Sequence, residues 1–247
     1  MTPEIRHSDG GVTKENREAA LATHAPLLGG LFEAAGTVLI SVHSYKRILA
    51  SGETKYAHAS PLLRYQDNNK DKILIFKKKF GGTFRPALGY IDSYQWTVVG
   101  HEAVEVATAI QPFAPSRSEI IFAFRNWQNA EDNDEKLSIA HEVKGAAARQ
   151  LQPREVYTEL LENNAFLAGV FEAGGFLTVA RGGKRVLVLN THNTNLREAI
   201  KAEFGGSITT KKSGSLSLQI YREDAIARIF SLISPHLITP LAGGKNS

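Results

Sequence analysis

The sequence predicts an α+β protein made of two pseudo-symmetric halves, each in the order αββαββα with four strands. Three repeated landmarks predict it. The nonapeptide Leu28-Gly-Gly-Leu-Phe-Glu-Ala-Ala-Gly36 recurs as Leu167-Ala-Gly-Val-Phe-Glu-Ala-Gly-Gly175. The turn Phe80-Gly-Gly-Thr83 recurs as Phe204-Gly-Gly-Ser207, each after a basic amphipathic stretch. Ser93–Val98 matches Ser215–Ile220, and each is followed by a helical pattern ending near a proline, Pro112 or Pro235. Self-similarity in unchanged order marks an internal duplication.

In the first copy, Ala19 to Ala35 reads as a helix, with Gly36 as a left-handed stop. Thr37 to Tyr45 alternates, placing Val38, Ile40 and Val42 on one face and Ser41, His43 and Tyr45 on the other. Tyr56 to Gln66 is its partner. A helix over 70–80, a hairpin of Thr83–Leu88 and Tyr94–Val99, and a helix over Glu102–Ile110 complete the copy. The second copy repeats this with shorter loops: a helix to Gly174, strands 176–181 and 185–191, a helix 195–204, strands 207–212 and 215–221, and a helix 223–234. Ser116 to Gln128 reads as one more helix. The division expected is an N-terminal extension (1–25), a first half (26–129), a solvated linker (130–152) with the acidic run Glu131–Glu135, a second half (153–240) and a fraying tail (241–247).

Composition narrows the class. Hydrophobic residues at 43% and charged residues at 22% are globular values. With no cysteine there is no disulfide framework, thiolate nucleophile or cysteine-ligated zinc. No run nears eighteen apolar residues, and the acidic N-terminal stretch resembles neither a signal nor a transit peptide, so no membrane partner is expected. The net charge of +4 leans toward a polyanionic partner.

These motifs resemble the LAGLIDADG family of homing endonucleases and intron maturases, in the single-chain form with two motif copies. The resemblance spans roughly Pro26 to Pro240. It implies motif helices side by side between the halves, and two four-stranded antiparallel sheets forming a saddle that lies on DNA. Gly30 and Ala34, like Gly169 and Ala173, are four apart on one helical face, so small side chains admit close backbone approach. Leu28, Leu31, Phe32, Leu167, Val170 and Phe171 are expected in the lobe cores.

Family members that cut DNA use an acid at the eighth motif position, where two carboxylates hold divalent metal. Here those positions are Ala35 and Gly174. Glu33 and Glu172 stand two residues earlier, about 200° around the helix, and are read as structural hydrogen-bonding groups. Arg117 stands where the family has a basic residue near the cleavage centre; the ordinary reading is that it caps the following helix. His43, His58 and His192 form no recognisable metal set, and no metal or other cofactor is expected unless the chain is an endonuclease using magnesium.

The candidate nucleic-acid-binding residues are Ser41, His43, Tyr45, Lys46, Arg47, Lys55, His58, Arg64, Gln66, Arg85 and Arg117 from the first half. Those from the second are Arg181, Lys184, Arg185, Asn190, His192, Lys211, Lys212 and Gln219. Lysine and arginine would contact phosphates, and Gln66, Asn190 and Gln219 suit base edges. The expectation is therefore a non-enzyme that binds nucleic acid, RNA ahead of DNA. The resemblance suggests a component of an organellar ribonucleoprotein such as a mitochondrial ribosome, with ribosomal proteins as partners and mitochondria or plastids as the location. The alternatives are an active DNA endonuclease or maturase, and a protein-binding scaffold. The internal pseudo-dimer needs no homodimer.

Overall fold

The computed structural model describes residues 12–49, 52–144, 152–180, 182–211 and 214–241, without the side chains of 47–49 and 52–55. The first half comprises α1 (Lys14–Ala34), β1 (Thr37–Leu49), β2 (Gly52–Asp67), α2 (Lys70–Phe80), β3 (Thr83–Pro86), β4 (Tyr94–Val99) and α3 (Gly100–Ile110). Two 3-10 turns lead into α4 (Ser118–Asn129) and α5 (Asn133–Glu142). After α6 (Arg154–Leu160) the second half repeats the order: α7 (Asn164–Gly174), β5 (Gly175–Val179), β6 (Arg185–Asn190), α8 (Thr194–Phe204), β7 (Ser207–Thr210), β8 (Leu216–Ile220) and α9 (Glu223–Ile233). Each half holds one antiparallel sheet, ordered β1-β2-β4-β3 and β5-β6-β8-β7. Among the described residues no helix is long and apolar enough to cross a membrane.

The pattern-based elements largely recur, and the departures have local causes. Helix α1 begins at Lys14, because Thr13 caps it by accepting from Asn16 N, so the expected boundary at residue 26 falls inside a helix. Pro26 is accommodated within that helix. Gly36 has no positive φ; it is needed because a Cβ there would stand 2.2 Å from Phe32 Cδ1. The glycines of the two FGG turns do need theirs, with φ of 77° at Gly81, Gly82 and Gly205 and 111° at Gly206. Part of the expected linker folds. Its acidic run supplies the Asp132 cap of α5, Ala140 of that helix is buried, and Asn133 Nδ2 donates to Ala57 O on β2.

One face of each sheet builds a core. In the first half Leu63, Tyr65, Trp96 and Val98 meet Leu28, Leu31 and Phe32 of α1 and Phe76 and Phe80 of α2. Rings of Phe76, Phe80 and Trp96 pack at centroid distances of 5.4–6.0 Å, and Trp96 donates to Gly81 O. In the second half Leu187, Leu189, Leu218 and Ile220 meet Leu167, Val170 and Phe171 of α7. Leu27 and Ala34 of α1 join this second core, so α1 serves both halves.

The halves meet where α1 and α7 lie against each other. A Cβ on Gly30 would stand 2.0 Å from Phe166 O, and one on Gly169 would stand 1.8 Å from Leu27 O. Backbone touches backbone at both points, as the motif spacing predicts. Ala34 is fully buried and Ala173 packs against both cores. Gly169→Val is expected to cost about 3 kcal/mol through forced helix separation, measured by denaturant unfolding. Leu88→Ala, at a side chain 96% exposed, should stay within about 0.5 kcal/mol.

Candidate nucleic-acid interface and the helix seam

At the ends of α1 and α7 nearest the sheets, an open cavity of about 560 Å³ lies between the halves. Ala35 and Gly174 border it, with Gln66, Asp67, Lys72, Glu172, Asn190, His192 and Lys211. Each half reaches across to hold the other's motif helix. Tyr65 Oη donates to Glu172 O at 3.3 Å and Lys72 Nζ to the same carbonyl at 2.9 Å. Thr191 Oγ1 returns the contact, donating to Ala34 O at 3.0 Å.

The two motif glutamates are buried and accept hydrogen bonds. Glu33 is fully buried and accepts from Ser116 N, Tyr157 Oη and Asn193 Nδ2 at 2.8–2.9 Å. Glu172, 2% exposed, accepts from Ile238 N at 3.1 Å and Thr239 Oγ1 at 2.8 Å. Each carboxylate thus ties down the chain that follows the last helix of its own half. Burial pushes the Glu33 carboxyl above the usual carboxylate range, opposed by its hydrogen bonds with Ser116 and Tyr157 and by Arg117. Burial, with the Glu33 charge second, pushes the Tyr157 phenol up.

Lys72, unmarked by the sequence patterns, lies at the centre. Its ammonium is 2.7 Å from Asp67 Oδ2 and 3.4 Å from Glu172 Oε1. The single Tyr65 hydroxyl proton is shared, with Asp67 Oδ2 at 2.6 Å the near acceptor and Glu172 O at 3.3 Å the far one. The two carboxylates bordering the cavity are therefore held by a cation the chain supplies itself.

These residues do not fit a divalent metal ion. Ala35 offers no donor side chain, and a Cβ on Gly174 would lie 2.1 Å from Asn190 O, leaving no room for an acid there. Asp67 and Glu172 are engaged as described, and among the described residues no group of three or more Asp, Glu, His or Cys is arranged to hold a metal. Arg117 is buried, and its guanidinium donates to Gly36 O at 2.8 Å, bracing the end of the first motif.

The other predicted residues divide by face. Directly paired residues share a face of an antiparallel sheet, so Ser41, His43, Tyr45, His58, Arg64, Gln66 and Arg85 lie together on the face away from the core, with Gln95 and Thr97. His43 stacks on His58 with centroids 5.3 Å apart, Tyr45 on Tyr56 at 5.6 Å, and Ser41 Oγ is 2.9 Å from His43 Nε2. Gln66 donates to Ser93 Oγ. Lys46 has the opposite parity and is not brought to this face. Arg47 and Lys55 lie in described strands, but their side chains are outside the described residues, as are Arg181 and Lys212 entirely.

The second half is unlike the first. Its corresponding face carries Phe176, Thr178, Val186, Val188, Asn190, Ser217 and Gln219, and the charged residues of that parity among those described are Lys184 and Lys211, which extend the ladders beyond the strand ends. Lys184 and Lys211 sit at hairpin ends, and Arg185 pairs with Val179 on the core-side face, near Glu223 of α9. His192 borders the seam cavity rather than the sheet face. Sequence reasoning missed Tyr65, Asp67, Lys72, Tyr157, Thr191 and Asn193. One signal was present: Asn69 and Asn193 stand at matching places before the repeated α2 and α8 patterns, and both cap those helices.

No protein-family model matches the sequence, and no curated protein matches it. Solved structures do. The homing endonuclease I-LtrWI bound to target DNA is 18% identical with a TM-score of 0.54, over 91% of this chain and 86% of that one. I-GzeII in complex with its DNA target is 11% identical at a TM-score of 0.56, over 89% and 84%. I-SmaMI bound to uncleaveable DNA is 14% identical at 0.55, over 90% and 86%. The chain thus has the two-half, single-chain LAGLIDADG homing endonuclease fold. The expectation of a non-enzyme is corrected by these comparisons, since the proteins sharing the fold are endonucleases; another I-SmaMI structure is bound to uncleaved DNA in the presence of calcium ions.

Two predictions test the seam. Lys72→Met strands Asp67 and Glu172 beside the cavity and is expected to cost about 3 kcal/mol in denaturant unfolding at neutral pH. The raised pKa of Glu33 adds stability that is fully present below the ordinary glutamate pKa and is lost as pH rises through the folded value. The unfolding free energy of the wild type relative to Glu33→Gln should therefore fall as pH rises above about 4.

Proposed function

We propose that the protein binds duplex DNA across its paired sheets, as a recognition protein of the homing endonuclease kind. The observation that carries this reading is the shared outer face of β1, β2, β3 and β4. There Arg64 and Arg85 can neutralise phosphates, Gln66 and Gln95 can read base edges, and the exposed rings of His43, His58, Tyr45 and Tyr56 can pack on sugar and base. Neighbours of the same fold are solved bound to DNA, which supports a duplex as the partner.

The RNA preference drawn from the sequence yields to DNA, because these neighbours are solved on DNA targets. Divalent-ion-dependent nicking belongs among the assays, with Glu172→Gln as the variant that reports on the seam cavity.

The test is a salt series on a random-sequence duplex library, with an RNA hairpin and a neutral control protein beside it. Binding should favour duplex DNA and fall with salt. Arg64→Ala and Arg85→Ala should each weaken it about fivefold and reduce the salt slope by about one. Affinity equal to that of the neutral protein, or an RNA complex tighter than any duplex, defeats the reading.

A further inference from the structure

A second cleft opens between the halves at the other end of the motif helices. It is about 640 Å³ in volume and is lined by α1, α2, the start of α7 and the segment after α9. Thr23 and His24 precede the seam end of α1 by about ten residues, so the cleft lies roughly 15 Å along the helix from the seam cavity. Its polar lining is Thr23, His24, Lys78, Lys79 and His236; the rest is aliphatic, and no aspartate or glutamate is included.

The cationic side of this cleft is built. His24 sets its ring edge-on to Phe80, with centroids 6.0 Å apart at 87°. Its Nε2 is 3.0 Å from Lys79 Nζ. An ammonium only donates, so Nε2 accepts and the imidazole is neutral with its proton on Nδ1. Burial and, secondarily, the Lys79 charge lower the pKa of His24, consistent with that state. Among the described residues no carboxylate pairs with Lys78 or Lys79. The α2 C-terminus gives both lysines some compensation. Two like charges at one half-enclosed cleft otherwise repel, and an anion between them removes that repulsion.

We propose that this cleft is an anion site for a phosphate group, separate from the sheet face. Lys78 and Lys79 would supply charge, and His24 and His236 ring donors, while the Thr23 hydroxyl stays bonded to Ala19 O and Leu27 and Ile75 thin the surrounding water. The phosphate can belong to a free polyphosphate or to a nucleic-acid backbone passing behind the saddle, and the chemistry at the cleft is the same.

The experiment follows histidine ring-proton resonances of the full chain by NMR, assigned with His24→Gln and His236→Gln. Inorganic pyrophosphate is added in one arm and a short single-stranded oligonucleotide in another, against chloride at matched ionic strength. Saturable shifts of His24 and His236 are expected. Pyrophosphate alone saturating them marks a free phosphate ligand, and the oligonucleotide alone marks a strand. Lys78→Gln combined with Lys79→Gln should weaken the effect at least about tenfold, or 1.4 kcal/mol, with the folded chain intact by circular dichroism and duplex binding at the sheets changed less than about twofold. Absence of saturable shifts in both arms, or shifts unaltered in the double variant, overturns the proposal.

Discussion

The contact on which the molecule depends is the backbone approach of α1 and α7 at Gly30 and Gly169. No side chain fits between Gly30 and Phe166 O or between Gly169 and Leu27 O. Such an approach brings the two helices close enough for α1 to place Leu27 and Ala34 in the second core while Leu28, Leu31 and Phe32 fill the first. One helix then belongs to two cores, and the halves become a single unit whose sheets have a set relation to one another.

That relation is reinforced at the seam by reciprocal hydrogen bonds. Tyr65 of β2 and Lys72 of α2 hold the carbonyl of Glu172, and Thr191, just after β6, holds the carbonyl of Ala34. The Ala34 and Glu172 carbonyls at the buried helix ends are thereby satisfied. Asymmetry enters through the side chains. Glu33 is compensated by neutral donors from Ser116, Tyr157 and Asn193, whereas Glu172 shares Lys72 with Asp67. The same backbone symmetry thus carries an uncharged donor network on one side and a buried ion pair on the other.

The outer faces diverge further. A mixed face of arginine, glutamine, histidine and tyrosine covers the first sheet, while the second offers phenylalanine, valine, threonine, serine, asparagine and glutamine, with lysine at its hairpin ends. The division is not simply one of burial, because Val186, Val188 and Ser217 on the outer face of the second sheet are themselves buried. A shared fold carries different chemistry on its two lobes.

Periodicity and repetition determined the two αββαββα halves, the close approach of the motif helices and the core residues of both nonapeptides. These follow from short-range rules of side-chain alternation, helix spacing and glycine turns, which act within a dozen residues. The folding of Asn133–Glu142 and the outward or inward parity of Lys46 and Arg185 depended on what each segment packs against or pairs with. Only the tertiary structure decided that Lys72 would lie between Asp67 and Glu172, a hundred residues apart in the chain, and that Asn190 would close over Gly174. A charge pair or a steric block across two halves has no signature in local sequence, because its energy exists only once the two helices have met.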